Sequence, residues 1–151
     1  MSTVDTPRIT RPTAVVSGLL AGAAALGAGE LVGGVVGSWN SPVVAVAEAF
    51  IDRVPRPLKD FAIEQFGTND KTALVVGIVV VATILAVVLG LVGRRRPAVT
   101  RLGLVAFGLL GAWASQQATG APFHGVVPSL VAAIVGVVAY GILRRTAPST
   151  A

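Results

Sequence analysis

Long apolar runs separated by short polar segments make up most of this chain. A helix needs roughly 20 apolar residues to cross a bilayer core of about 30 Å. Runs of that length, or nearly so, cover residues 13–37, 72–93, 102–118 and 126–143. None of them alternates with period two, as strands of a transmembrane barrel would. Because lipid satisfies no backbone polar group, the pattern predicts an all-α membrane protein: a transmembrane bundle of four helices.

The segment between the first two runs, residues 38–71, has a different, amphipathic pattern. Ser41 is a good N-cap residue, and Pro42 after it suits the first position of a helix. Apolar residues then recur at helical spacing until Pro55 and Pro57 break the pattern. A second amphipathic helix is predicted after Pro57. We therefore expect two short amphipathic helices in the first outer loop.

This outer loop also carries large apolar side chains that form a candidate lid or docking face. They are Phe50, Leu58, Phe61 and Phe66. Aromatic side chains bury about 150–250 Å² each and dominate such contacts. We expect Leu58 and Phe61 to face the ends of the spans, as a lid. The alternative is a docking surface for another domain.

Glu30 is an ionisable residue within the first expected span, and such residues are candidate functional groups by default. A proton or cation relay would need a second carboxylate or a histidine at similar depth, and the other spans contain neither. We expect Glu30 to be protonated, hydrogen-bonded within the bundle, or in reach of the outer interface. The alternative is transport that uses Glu30. His124 lies in a loop, where we expect a solvated or interfacial side chain and no metal.

Small residues recur every four positions along the first span. They form two sets, Gly18 with Gly22, and Ala25 with Gly29, Gly33 and Gly37. This small-xxx-small pattern lets helix backbones approach closely. We expect a tight contact with a neighbouring span of the same chain. Self-association between chains is the alternative.

Basic residues lie at alternate ends of the expected spans. They are Arg8 and Arg11, then Arg94, Arg95, Arg96 and Arg101, then Arg144 and Arg145. On the opposite side, Asp and Glu accompany the Lys and Arg residues. Because an excess of Lys and Arg marks cytoplasmic loops, residues 1–12 and 144–151 are expected as cytoplasmic tails of a multi-pass plasma-membrane protein. A cleavable signal peptide is the rival interpretation, but its apolar region is typically 7–15 residues, shorter than this first run.

Composition narrows the chemistry. The chain is 54% hydrophobic and 13% charged, against about 45–50% and about 25% in soluble proteins. The net charge is +5. The basic residues flank the spans and form no basic stripe with interleaved aromatics, so we expect no nucleic-acid partner. The absence of cysteine excludes disulfides, thiolate metal sites and thiol nucleophiles. No catalytic or phosphate-binding motif is present, so we expect neither catalysis nor a cofactor bound by this chain.

Two stretches carry a resemblance to a known family. The run "SPVVAVAEAFIDRVPRPLKDFAIEQFGTNDKTAL" and the "GAGELVGG" around Glu30 resemble the membrane-embedded N-terminal region of actinobacterial molybdopterin-dependent oxidoreductases of the sulfite-oxidase type. In that family a multi-span anchor precedes a soluble domain, which binds molybdenum through a cysteine thiolate. This sequence has no cysteine and stops at "RRTAPSTA", after the fourth span.

The resemblance implies a membrane anchor or docking module of an oxidoreductase system. Molybdopterin is implied only for a missing or separate catalytic domain. The expected partners are the lipid bilayer and either a separately encoded oxidoreductase domain or further copies of this chain. A small transporter or ion-conducting protein that uses Glu30 is the alternative function, and a structural membrane protein without a bound partner is a third.

Overall fold

The computed structural model of the protein describes residues 9–36, 41–53, 55–57, 60, 70–117 and 123–147. Within these ranges the chain is helical and contains no β-strand. Its helices are α1 (Arg11–Val36), α2 (Pro42–Arg53), α3 (Asp70–Gly93), α4 (Pro97–Ser115) and α5 (Val127–Thr146), with a 3₁₀ turn over Phe123–Val126.

Four of these helices, α1, α3, α4 and α5, are long and apolar enough to cross a membrane. The prediction of an all-α membrane protein built as a four-span bundle is confirmed. The apolar part of α3, Thr72–Gly93, has the expected bounds. α4 starts at Pro97, five residues earlier than expected. Proline fits the first turn of a helix, and Arg101 is tolerated near the helix end because its long side chain can reach the interface.

The expected amphipathic outer loop is described only in part. Its first helix is α2, which begins at Pro42 as predicted. The second helix, predicted after Pro57, falls mostly outside the described residues.

Close backbone contacts hold α1 against α3. A Cβ atom placed on Gly18 would overlap the Ala86 carbonyl of α3, and one on Gly90 would overlap the Ala14 carbonyl of α1. The same face of α1 continues at Gly22, where an added Cβ would lie 3.1 Å from the Ala86 Cβ. These contacts confirm the small-residue prediction within one chain.

Farther along, α1 packs against α5 and the start of α2. A Cβ on Gly136 of α5 would lie 3.0 Å from the Ala25 Cβ. At Gly29, an added Cβ would lie 2.7 Å from Pro42 of α2 and 3.1 Å from Ala132 of α5. The first span therefore lies between two others, and its small residues set their spacing.

The remaining spans differ in how much they bury. α5 packs against α4, where a Cβ on Gly108 would overlap that of Ala133. α3 is the most exposed span: only 6% of its most apolar window is buried. Its buried residues, among the side chains described, are Gly90 and Gly93. Lipid is the natural solvent for the rest of this uncharged surface.

Candidate functional site

Glu30 lies where α1 meets the start of α2. Its Oε1 accepts a hydrogen bond from the backbone N–H of Val43, 3.1 Å away. Val43 is the second residue of α2, so this N–H is one of the donors that a helix N-terminus leaves without an intrahelical partner. Glu30 therefore caps α2 from another helix.

Ser41 completes the same helix start. Its Oγ accepts the N–H of Val44 at 3.3 Å, and its carbonyl accepts the N–H of Ala45 at 2.9 Å. Pro42 has no N–H to satisfy. The first turn of α2 is thus supplied with acceptors by Ser41 and Glu30 together. Glu30 is hydrogen-bonded, one of the alternatives expected for it, and its donor lies on α2.

The C-terminal end of α2 is attached to α4 through Arg53. Its guanidinium donates to the Ala49 carbonyl at 3.0 Å and to Gln117 Oε1 at 2.8 Å. The Arg53 guanidinium also stacks over Trp113, 4.6 Å from the ring centroid. Local sequence patterns do not indicate this cluster, because Arg53 and Gln117 are 64 residues apart.

Alanines form the buried face of α2 between these two attachments. Ala45 and Ala49 pack with Ala114 of α4 and are at most 6% exposed. Small side chains allow α2 to lie directly on the ends of the spans. Phe50, Val44 and Ile51 lie outside this buried face and are exposed.

The predicted lid or docking face is described at one of its four positions. Phe50 is 55% exposed, so it does not close over the bundle as a lid residue would. It lies on α2 seven residues beyond Val43, about 10 Å along the helix from the Glu30 contact. Leu58, Phe61 and Phe66 lie outside the described residues. The structure thus gives Glu30 and Phe50 separate surroundings.

A second set of polar contacts closes the opposite end of the bundle. Thr100 Oγ1 donates to the Leu89 carbonyl at 2.6 Å, and Arg144 donates to the Gly93 carbonyl. Arg94 Nε donates to the Ile9 carbonyl at 3.0 Å. The Gly93 carbonyl is one of the last four of α3, which a helix C-terminus leaves unpaired.

Tyr140 is fully buried beside these contacts. Its hydroxyl has no hydrogen-bond partner within the described part of the chain. A Cβ on Gly93 would overlap both this hydroxyl and that of Thr100. Glycine is therefore required at position 93 for the tyrosine to fit.

An apolar cavity of about 80 Å³ lies within the bundle, between α3 and the other spans. Pro42 and Val46 of α2 also line it. Ser129 of α5 also lines it and is buried, and the Ser129 hydroxyl has no partner among the described groups. Sequence reasoning did not single out Ser129, because a serine in an apolar helix usually bonds to its own backbone.

Metal binding finds no support in the described residues, where no three His, Cys, Asp or Glu side chains are grouped to hold an ion. His124 does interact with a neighbouring group.

No family model matches the sequence, and no curated protein or solved structure does so either. Function therefore has to be inferred from the chain's own geometry and chemistry.

Proposed function

We propose that this protein is a multi-pass module of the plasma membrane that holds a separately encoded oxidoreductase domain of the sulfite-oxidase type on its outer face. The observation that carries this proposal is the placement of α2: both of its ends are attached to the bundle, while Phe50, Val44 and Ile51 remain exposed. The kind of partner rests on the sequence resemblance around Glu30 and α2.

The two attachments make α2 a preorganised surface. Glu30 and Ser41 cap its first turn, and Arg53 joins its last turn to Trp113 and Gln117. A partner that binds a fixed helix loses less conformational entropy than one that binds a flexible loop. This favours a docking function for the outer surface over a simple connection between spans.

The exposed side of α2 has the composition of a binding surface. Phe50 is 55% exposed, Val44 is 41% exposed and Ile51 is 36% exposed. Aromatic anchors surrounded by smaller apolar residues are typical centres of protein interfaces. The acidic Glu48 and Asp52 are also exposed, and each is two positions from Phe50, on the polar side of α2.

Molybdopterin belongs to the partner in this proposal. The family ligates molybdenum through a cysteine thiolate, and this chain contains no cysteine. Its described residues include no grouped His, Asp or Glu that would replace that ligand. The residues present do not fit the cofactor, so catalysis is assigned to the partner domain.

The surroundings of Glu30 support anchoring over transport. Its carboxylate accepts an N–H at the start of α2, a contact that stabilises structure. A relay through the membrane would need further titratable groups at similar depth, and the spans contribute none.

Photocrosslinking tests the docking proposal. Benzoylphenylalanine replaces Phe50 in the full chain, in cells of the native host, and crosslinked products are identified by mass spectrometry. Matched controls place the same probe at Asp52, on the polar side of α2, and at Ile84, on the exposed surface of α3. We expect the Phe50 probe to capture a protein with a sulfite-oxidase-type domain, and the Ile84 probe to capture lipid.

Two results would overturn the proposal. Capture of lipid alone at Phe50 would show that this face lies in the membrane interface. Capture of a second copy of the chain would make α2 the contact of a homo-oligomer.

A further inference from the structure

We propose that the arginine-rich end of the bundle binds the headgroup phosphate of an anionic membrane phospholipid. The described residues of this surface are Arg11, Arg94, Arg95, Arg96, Arg101, Arg144 and Arg145. The surface lies at the opposite end of the bundle from α2. The proposal is therefore independent of the docking function.

Two hydrogen bonds bring arginines from separate elements together. Arg94 Nε donates to the Ile9 carbonyl at 3.0 Å, two residues before Arg11. Arg144 donates to the carbonyl of Gly93, the residue before Arg94. Arg11, Arg94 and Arg144 therefore converge, although they belong to the start of α1, the end of α3 and the end of α5.

These bonds orient two guanidinium groups and leave donors on each of them. A guanidinium carries five N–H donors in a planar fork. Contacts within the described part of the chain use the Nε of Arg94 and one terminal nitrogen of Arg144. Both side chains are only half-buried. Their other N–H groups can donate to an anion at the edge of the bundle.

The described residues place no carboxylate at this end. Glu30 contacts α2, Glu48 and Asp52 belong to α2, Asp60 follows α2 in the chain, and Asp70 begins α3. The clustered arginines therefore repel one another without a described counter-charge. A bound anion would relieve that repulsion.

The choice of basic residue indicates phosphate as the anion. Every basic residue described at this end is arginine, whereas both lysines of the chain, Lys59 and Lys71, come at or before the start of α3. Orientation in the membrane depends on Lys and Arg alike. An arginine fork can bind two phosphate oxygens at once, while a lysine acts as a point charge.

Exposed apolar side chains beside the arginines indicate that the phosphate belongs to a lipid. Leu91 and Val92 lie in the last turn of α3, and Leu102 follows Arg101 on α4; all three are exposed. Acyl chains can lie on this surface while the phosphate stays at the arginines, as in other basic lipid sites between spans. Free phosphate or an acidic protein would leave the apolar surface unused.

Native mass spectrometry of the full chain in mild detergent tests the site. The probes are dioleoylphosphatidylglycerol and dioleoylphosphatidylcholine, which have the same acyl chains and differ in net charge. We expect the wild-type chain to retain the phosphatidylglycerol more tightly, by about fivefold for each arginine that contacts the headgroup.

Arg95, Arg96 and Arg145 are suited to substitution, because they are exposed and none of their side chains has a hydrogen bond within the described residues. Replacing all three with glutamine should lower the preference for phosphatidylglycerol at least about fivefold. Replacing all three with lysine should restore only part of it, because the charge returns without the fork. The matched control is Arg56→Gln, an exposed arginine beyond α2, which should leave the preference unchanged.

Circular dichroism checks that each variant is folded. The proposal is overturned if the wild-type chain retains both lipids equally, or if the folded glutamine variant keeps the wild-type preference. Full restoration by lysine would also overturn it, since charge alone would then suffice. Displacement of the lipid by inorganic phosphate or polyglutamate at equal concentration would assign the surface to free phosphate or to an acidic protein instead.

Discussion

The carboxylate of Glu30 belongs to α1, yet the N–H that it accepts belongs to the first turn of α2. Capping is normally local, from a side chain within the same turn, and here Ser41 supplies that part. Glu30 adds a carboxyl oxygen as an acceptor from 13 positions earlier in the chain. The first turn of α2 is therefore held by acceptors from two separate parts of the chain.

Substitution of Glu30 tests this capping contact. Glu30→Gln keeps an acceptor oxygen and should lower the free energy of unfolding by less than about 1 kcal/mol. Glu30→Ala removes the acceptor and should lower it by about 1–2 kcal/mol, the range for a lost N-cap. Reversible unfolding in detergent micelles measures both.

The matched control for Glu30 is Asp52→Asn, which neutralises an exposed carboxylate of α2. It should change stability by no more than about 0.5 kcal/mol. A loss for Glu30→Ala as small as that of the control would refute the capping role. If the wild-type chain conducts protons or cations in vesicles and Glu30→Gln abolishes this flux, the transporter function is favoured over the anchor.

At the scale of helices, the crossing of α1 and α3 depends on glycine at both contact points. The backbones meet at Gly18 and Gly90, with no room for a side chain on either residue. In lipid the hydrophobic effect contributes little between spans, so close van der Waals contact has to hold them together. α3 buries little else, which makes this crossing its main attachment.

Two glycine substitutions on α3 separate packing from helix propensity. Gly90→Ala would press a methyl group onto the Ala14 carbonyl, and overpacking of this kind costs about 1–3 kcal/mol. Gly77→Ala meets nothing within 4 Å and should be neutral or stabilising by up to about 1 kcal/mol. Thermal unfolding in the same detergent compares the two, and equal effects would contradict the crossing.

The attachment of α2 to α4 is open to a double-mutant cycle. Arg53→Gln, Trp113→Leu and the double variant isolate the stacking of the guanidinium on the indole. The expected coupling energy is about 0.5–1 kcal/mol, as for other exposed cation–π pairs. Unfolding free energies supply the cycle, and additive effects would mean that the two side chains do not interact in solution.

The existence of the helices was predictable from the apolar runs in the sequence. The uncharged span within α3 stands out by composition alone, and Ser41 with Pro42 marks the start of α2. The early start of α4 was not predictable from hydropathy, because Arg101 interrupts the apolar run. An arginine near a helix end extends its charge to the interface while its backbone stays helical.

The contacts of the candidate site were less predictable. The pattern of apolar residues assigned Phe50 to a lid or docking face and gave no role to Ala45 and Ala49, which the structure buries against α4. Helical periodicity reports that a face is apolar, and it does not report how close the neighbouring helix comes. Ser129 and the Arg53 cluster depend on distant parts of the chain, which local patterns do not contain.

At the scale of the whole molecule, arginines at one end of the bundle also hold it together. Arg94 and Arg144 donate to backbone carbonyls of Ile9 and Gly93, while Arg95 is exposed. Contacts of this kind tie the N-terminal segment, α3 and α5 to one another. Two of the arginines that predict the orientation, Arg94 and Arg144, therefore also stabilise the fold at that end.

The orientation of the bundle in the membrane is expected to follow from the arginines at one end. An excess of arginine on one side predicts that α4 begins and α5 ends in the cytoplasm, with α2 outside. The chain has no native cysteine, so single cysteines report cleanly. Asp52→Cys lies on α2, and Ala98→Cys and Thr146→Cys lie at the arginine-rich end; all three positions are exposed.

An impermeant maleimide applied to intact cells should label the Asp52→Cys chain alone. The other two variants should react only after the membrane is opened, and prior treatment with a permeant thiol reagent should block all three. The arginines are expected to hold this orientation because each would have to cross the hydrocarbon core to reverse it, at a cost of about 2.5–3.5 kcal/mol per residue at the centre of a helix. Labelling of Ala98→Cys or Thr146→Cys in intact cells would contradict this orientation. It would mean that α2, with its exposed Phe50, lies on the cytoplasmic face.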